Sequence, residues 1–213
     1  MRSRMRLWLR RTITYKWARR IVVAIALAWS RIAPYDTLTW YLEIFPIAIV
    51  YPVIYATARR HPLTPLLYIL IAFHSLILVL GAHYTYARVP LGFWFQDLFD
   101  LSRNNYDRLG HIAQGFIPAI AVREVYKRWS PVKGGAWLAF MTVATCLAIS
   151  ACYEFVEWWT AIAAGVAADD FLATQGDIWD TQWDMFLATC GAIAAVATLS
   201  GAHDRAIARL EAR

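Results

Sequence analysis

Cysteine is nearly absent from this chain, and charge is scarce. Only Cys146, Cys152 and Cys190 occur among 213 residues. They are odd in number, sit inside apolar stretches and form no CxxC pair, which excludes a disulfide framework and a thiolate metal site and leaves packing as their role. Charged residues make up 17% of the chain, against roughly 25% in soluble domains. Also missing are HExxH, the Glu-x-x-His pair of ferritin-like di-iron proteins and a G-x-S-x-G nucleophile elbow. No internal repeat or low-complexity linker divides the chain, so it reads as one domain. The net charge of +6 and the pI near 9.4 do not indicate nucleic acid as a partner, because the basic residues flank apolar blocks and build no DNA- or RNA-binding motif.

What the chain has in quantity is apolar surface: 60% hydrophobic residues, 15% aromatic, with 11 tryptophans. These residues arrive in blocks of membrane-spanning length, and roughly 20 residues suffice to cross the hydrocarbon core. The pattern predicts an all-α transmembrane bundle with six spans near 21–33, 38–58, 63–86, 107–127, 136–160 and 178–200. The lipid bilayer is then its first partner. The first block is short for a span, and topology decides it. If all six blocks cross with the N-terminus in the cytoplasm, the basic segment 1–20 shares that side with Arg59, Arg60, Arg123, Lys127, Arg128, Lys133 and the 203–213 tail. Only Arg31, Arg88, Arg103 and Arg108 fall opposite. That arrangement obeys the positive-inside bias and gives an inner-membrane protein with both termini cytoplasmic. The stretch Ser30-Arg31-Ile32-Ala33-Pro34 offers no convincing small-x-small cleavage site, so the N-terminal segment is expected to remain attached. Residues 91–101, LGFWFQDLFDL, have helical apolar spacing and read as a short helix in the outer interface.

With this topology fixed, the ionisable residues inside the blocks gather at one depth, the outer end. Glu43 belongs to the second span, His83 to the third, Asp107 and His111 to the fourth, Glu154 and Glu157 to the fifth, and Asp177, Asp180 and Asp184 to the sixth. Asp107, His111 and Gln114 share a helix face, as do Glu154 with Glu157, and Asp177 with Asp180 and Asp184. Carboxylates in hydrocarbon are costly, so they face the bundle interior and pair, hold protons or bind cations. Here acids outnumber the nearby cations Arg103 and Arg108.

An oxygen-rich set with imidazole suits Mg²⁺, Mn²⁺, Ca²⁺, zinc or iron. The expected ligands are Glu154, Glu157, Asp180, Asp184 and His111, completed by His83 and Asp177, with Glu43, Asp107, Gln114 and Arg108 supporting them. Glu154, Glu157, Asp180 and His111 are the candidate acid/base groups of a metal-dependent hydrolase or transferase acting on a lipid head group or an envelope ester or phosphate. Two other functions use the same residues. A proton or cation transporter would use the acids as a relay, and a structural or accessory protein would use them to lock helices together. Simpler roles are also assigned: a helix N-cap for Asp177, dipole compensation for Asp107, a hydrogen-bonded core for His74, solvated loops for Asp97, Asp100, Asp169 and Asp170, and an interfacial belt for Trp94, Trp158, Trp159, Trp179 and Trp183.

The strings SRNNYDRLGHIAQGFIPAIAVRE, ACYEFVEWW, TQGDIWDTQWDMFLA and GAHYTYARVPLG closely resemble a bacterial inner-membrane family typified by YjdF. The resemblance extends from the second span onward and implies a multi-pass inner-membrane protein, without implying an activity. A second resemblance is to VanZ-like membrane proteins, through Asp107-Arg108-Leu109-Gly110-His111, Glu154, Asp180 and Gly191. Arg108 replaces a lysine of that pattern, Asp184 an asparagine and Leu187 a glycine. Those proteins are associated with glycopeptide-antibiotic resistance, which implies an envelope-facing role.

Overall fold

The computed structural model describes residues 21–132, 134–165 and 169–212, and every regular element among them is helical. The helices are α1 (Ile21–Ser30), α2 (Thr37–Thr57), α3 (Pro65–Tyr84), α4 (Pro90–Phe99), α5 (Tyr106–Trp129), α6 (Gly135–Ala164), α7 (Asp169–Leu172) and α8 (Asp180–Glu211), with a 3₁₀ turn at Tyr86–Arg88. The expected basic segment 1–20 lies outside the described residues. Local chemistry sets several starts. Asp36 accepts from the Thr39 N–H at 2.7 Å to open α2, and Thr64 caps α3, where Pro65 occupies the first turn. Thr85, at φ 61, breaks the chain after α3, so the third apolar block ends in a turn instead of running on through residue 86.

Four helices, α2, α3, α6 and α8, are long and apolar enough to cross a membrane. At 24 residues, α5 is about 36 Å long. It carries charge at both ends, including Asp107, Arg123, Glu124, Lys127 and Arg128, and its neighbours bury those ends. It is the central helix, packed on α8, α6 and α3, while α2 lies against α3. Leu67, Ala119, Ile120, Cys146, Ala192 and Ala195 form one buried cluster across α3, α5, α6 and α8, so Cys146 packs as its apolar setting suggested.

The α5–α8 seam depends on two glycines. A Cβ on Gly115 would collide with the Ala188 carbonyl, and one on Gly191 with the Ile112 carbonyl. In a bilayer, where burying apolar surface gives helices little reason to associate, such close backbone contact supplies the attraction. The seam continues into residues 203–211, which belong to α8 instead of forming a separate tail. His203 and Ile207 are buried there. By contrast, α4 exposes Trp94, Leu98 and Phe99, and its Asp100 turns the chain at φ 51.

Candidate metal centre

One end of the bundle concentrates buried acids. Asp107 and His111 stand one turn apart on α5, and His111 Nε2 lies 3.4 Å from Asp107 Oδ1 and 3.6 Å from Asp184 Oδ1 on α8. Glu154 and Glu157 come from α6. Two groups of residues could hold a metal ion: Asp107, His111 and Asp184, and His111, Glu154 and Glu157. In each, the potential ligand atoms lie within 4.8 Å of one another. All five side chains are buried, Asp184 to 2% exposure and Glu154 to 6%.

The hydrogen-bond inventory of these residues is open. Asp107 Oδ2, His111 Nδ1, both carboxylate oxygens of Glu154, Asp184 Oδ1 and Gln114 Oε1 are buried with no hydrogen-bond partner. Leaving one such group unsatisfied costs about 1–3 kcal/mol, and more if it is charged. Orphans on three helices facing one point therefore require a ligand or protons.

The two arginines expected near the acids are already engaged. Arg103 donates to Asp180 at 2.9 Å, to the Thr174 carbonyl at 2.9 Å and to Asp177 at 3.5 Å, while Arg108 donates to Asp177 at 2.9 Å. Asp180 and Asp177 thus tie the 173–180 turn to the segment before α5, and neither belongs to the two metal-competent groups. Asp177 also accepts from the Trp179 N–H at 3.0 Å, but α8 begins at Asp180 with Trp179 at its cap position and no side-chain cap, so Asp177 closes a turn before the helix instead of capping it. His83 lies outside the cluster. Its Nδ1 meets the Ser30 carbonyl at 3.1 Å and its ring stacks on Trp29, 4.3 Å between centroids.

Sequence reasoning missed several supports of the site. Asn104 is 1% exposed. Its Nδ2 donates to the Val89 carbonyl at 3.0 Å, and Gln175 Nε2 returns a bond to the Asn104 carbonyl at 2.8 Å. Tyr86 lies where Gly81 and Gly110 leave room for its ring, and it is buried there. The glycine pair that accommodates the ring was the available signal.

Beside the cluster lies a cavity of about 310 Å³. Glu43, Asp107, His111, Gln114 and Glu157 line its polar part, and Ile117 and Ala121 line the apolar part. His74 borders it too, with Nε2 buried and lacking a partner, where the sequence suggested a hydrogen-bonded core histidine.

The opposite end of the bundle provides a comparison. Glu124, fully buried, accepts from the Thr64 N–H at 2.9 Å, Thr64 Oγ1 at 2.7 Å and Arg128 at 2.7 Å, and contacts His203 Nε2 at 2.9 Å. His203 Nδ1 in turn meets Arg123 at 3.0 Å, and Arg123 pairs with Asp204 at 2.7 Å. That network satisfies its carboxylate; the cluster around His111 does not.

Membrane-length helices packed around buried acids and imidazole define a multi-pass membrane protein. The chain belongs to the DUF2238 family of predicted membrane proteins, whose model matches residues 15–205. It is 50% identical over 189 residues to the inner membrane protein YjdF of Escherichia coli (strain K12), covering 89% of this chain and 90% of that protein. No solved structure matches it.

Proposed function

We propose that this is an inner-membrane protein holding one or more divalent metal ions around His111, and that it acts on a lipid head group or another envelope ester or phosphate. The orphaned buried oxygens of Glu154, Asp107 and Asp184 around one imidazole carry the proposal. Asp107, Asp184, His111, Glu154 and Glu157 are the ligands and acid/base groups. Asp180 and Asp177, through Arg103 and Arg108, position the start of α8, and Glu43 and Gln114 orient the open side. Mixed oxygen and nitrogen donors favour Mn²⁺, zinc or iron over Mg²⁺ and Ca²⁺.

An ion held by Asp107, His111, Asp184, Glu154 and Glu157 would supply Lewis-acid activation of a water for ester hydrolysis. A carboxylate of the cluster, Glu154 or Glu157, would take the proton of that water and return it to the leaving oxygen as the ester bond breaks. Six spans with both termini cytoplasmic put this site at the periplasmic end, with α4 in the interface. The basic residues at the Glu124 end and the exposed apolar residues of α4 support that orientation. A proton relay would need ionisable groups continuing across the bundle. Beyond His74 the cavity lining holds no further carboxylate or imidazole among the described residues, its polar groups there being the hydrogen-bonded Tyr51 and Ser75 hydroxyls, and the Glu124 carboxylate has its hydrogen bonds in use, so the metal reading is favoured.

The test is elemental analysis of detergent-purified protein after dialysis against a weak chelator, with Glu154→Ala and Asp180→Ala alongside. Stoichiometric metal in the parent, lost in folded Glu154→Ala and weakened in Asp180→Ala, is expected. A metal-free parent would overturn the reading.

A further inference from the structure

The cavity is polar at one end and apolar along the rest. On α5 its wall runs from Asp107 to Ala121, about 21 Å of helix. On α2 it runs from Glu43 to Tyr51 and on α6 from Glu157 to Ile149, about 12 Å each. Prolines stand in two of these walls, Pro46 and Pro118. Each removes a helical hydrogen bond and disturbs the regular packing of its wall.

The cavity also has a side. Among the described residues, α2 and α6 pack mainly on different neighbours: α2 on α3 and α7, and α6 on α5, α8 and α7. At the carboxylate end α7 bridges the two walls, and its buried Phe171 lines the cavity there. Farther from the acids, Val50 on α2 and Ile149 on α6 line the cavity while remaining 38% and 42% exposed. Both edges of the slot therefore face the region occupied by lipid tails.

We propose that this cavity receives the hydrocarbon chain of a single-chain lipid phosphate, which enters from the bilayer between α2 and α6 and places its phosphate at the His111 cluster. The proposal deepens the metal reading and rests on it. Glu43, Asp107 and Glu157 at the polar end repel a bare anion, and Arg103 and Arg108 are paired elsewhere, so the phosphate needs the ion. A cavity of about 310 Å³ is at the small end of ligand sites, which run from roughly 300 Å³ upward. Its volume suits one hydrocarbon chain.

The experiment measures binding of radiolabelled dodecyl phosphate, inorganic phosphate and 1-dodecanol to the full-length protein in nanodiscs. It compares the parent with a Val50→Trp/Ile149→Trp double variant, whose substitutions sit at exposed rim positions and leave the metal ligands intact. Metal content is measured on the same samples. Dodecyl phosphate should bind the metal-loaded parent and lose roughly tenfold or more in affinity in the rim variant, about 1.4 kcal/mol, with metal content unchanged. Inorganic phosphate should bind weakly to both. Equal binding of dodecyl phosphate to parent and rim variant, or inorganic phosphate binding as tightly as dodecyl phosphate, overturns the chain-binding proposal while leaving the metal reading intact. A metal-free parent sinks the metal reading instead. 1-Dodecanol bound by that parent and lost in the rim variant would still support the chain slot, and no dodecanol binding would overturn it as well. An Ala121→Phe variant, which fills the far end of the cavity, should shift the preference toward octyl phosphate. An unchanged chain preference in a folded variant counts against the slot.

Discussion

Glu124→Gln and Glu154→Gln each replace a buried carboxyl group, at opposite ends of the same bundle, and the two should behave oppositely. Glu124 engages Thr64 twice, Arg128 and His203. Three of these bonds reach from α5 to the start of α3 and to α8, and hydrogen bonds between membrane helices average roughly 0.6 kcal/mol, so they bring about 2 kcal/mol; leaving Arg128, one turn along α5, without its counter-charge moves the loss toward ~3 kcal/mol. Glu154 has neither oxygen bonded. In chelator-treated protein its replacement by an amide that can donate to Glu157 should leave stability within ~1 kcal/mol of the parent or raise it. Unfolding followed by tryptophan fluorescence in detergent, in the metal-free state, gives both numbers. If Glu154→Gln destabilises as much as Glu124→Gln, the His111 cluster is a structural lock and the ligand argument fails.

Other consequences are equally direct. Gly191→Leu puts a side chain against the Ile112 carbonyl, so the α5–α8 seam must open. The variant should unfold in milder detergent conditions than Ala192→Gly, a comparison made by thermal scanning. Arg103→Ala frees Asp180 and the Thr174 carbonyl and should weaken metal affinity about 10–100-fold without abolishing it, as loss of an outer support does; a metal-binding isotherm measures this. His83→Ala leaves both ligand groups intact and should keep full metal stoichiometry by elemental analysis.

The helical character and the apolar blocks were legible because burial in lipid demands continuous hydrophobic runs, and those runs survive any tertiary arrangement. The depth coincidence of acids was legible too, because helix direction alternates once spans are set. Pairing was not. Asp180 and Asp184 look equivalent along the chain, one turn apart. Only the fold puts Arg103 on the first and leaves the second 3.6 Å from His111. Asp107, suited by position to the helix dipole, turns inward because Gly110 and Tyr86 bring α5 close to the Tyr86–Arg88 turn. The Glu124–His203 network went unread because its partners lie 79 residues apart and its acid sits among basic residues that serve as a topology signal. The cavity follows from two helices, α2 and α6, that pack mainly on different neighbours, a property no local pattern encodes.

The most direct measurement is the number of Mn²⁺ ions bound at equilibrium, read by electron paramagnetic resonance, in the parent and in His111→Ala. Both ligand groups are built on that imidazole. The account predicts saturable stoichiometric binding in the parent and its loss in a variant that remains folded. Mn²⁺ binding unchanged by His111→Ala, or absent from the parent, would contradict it.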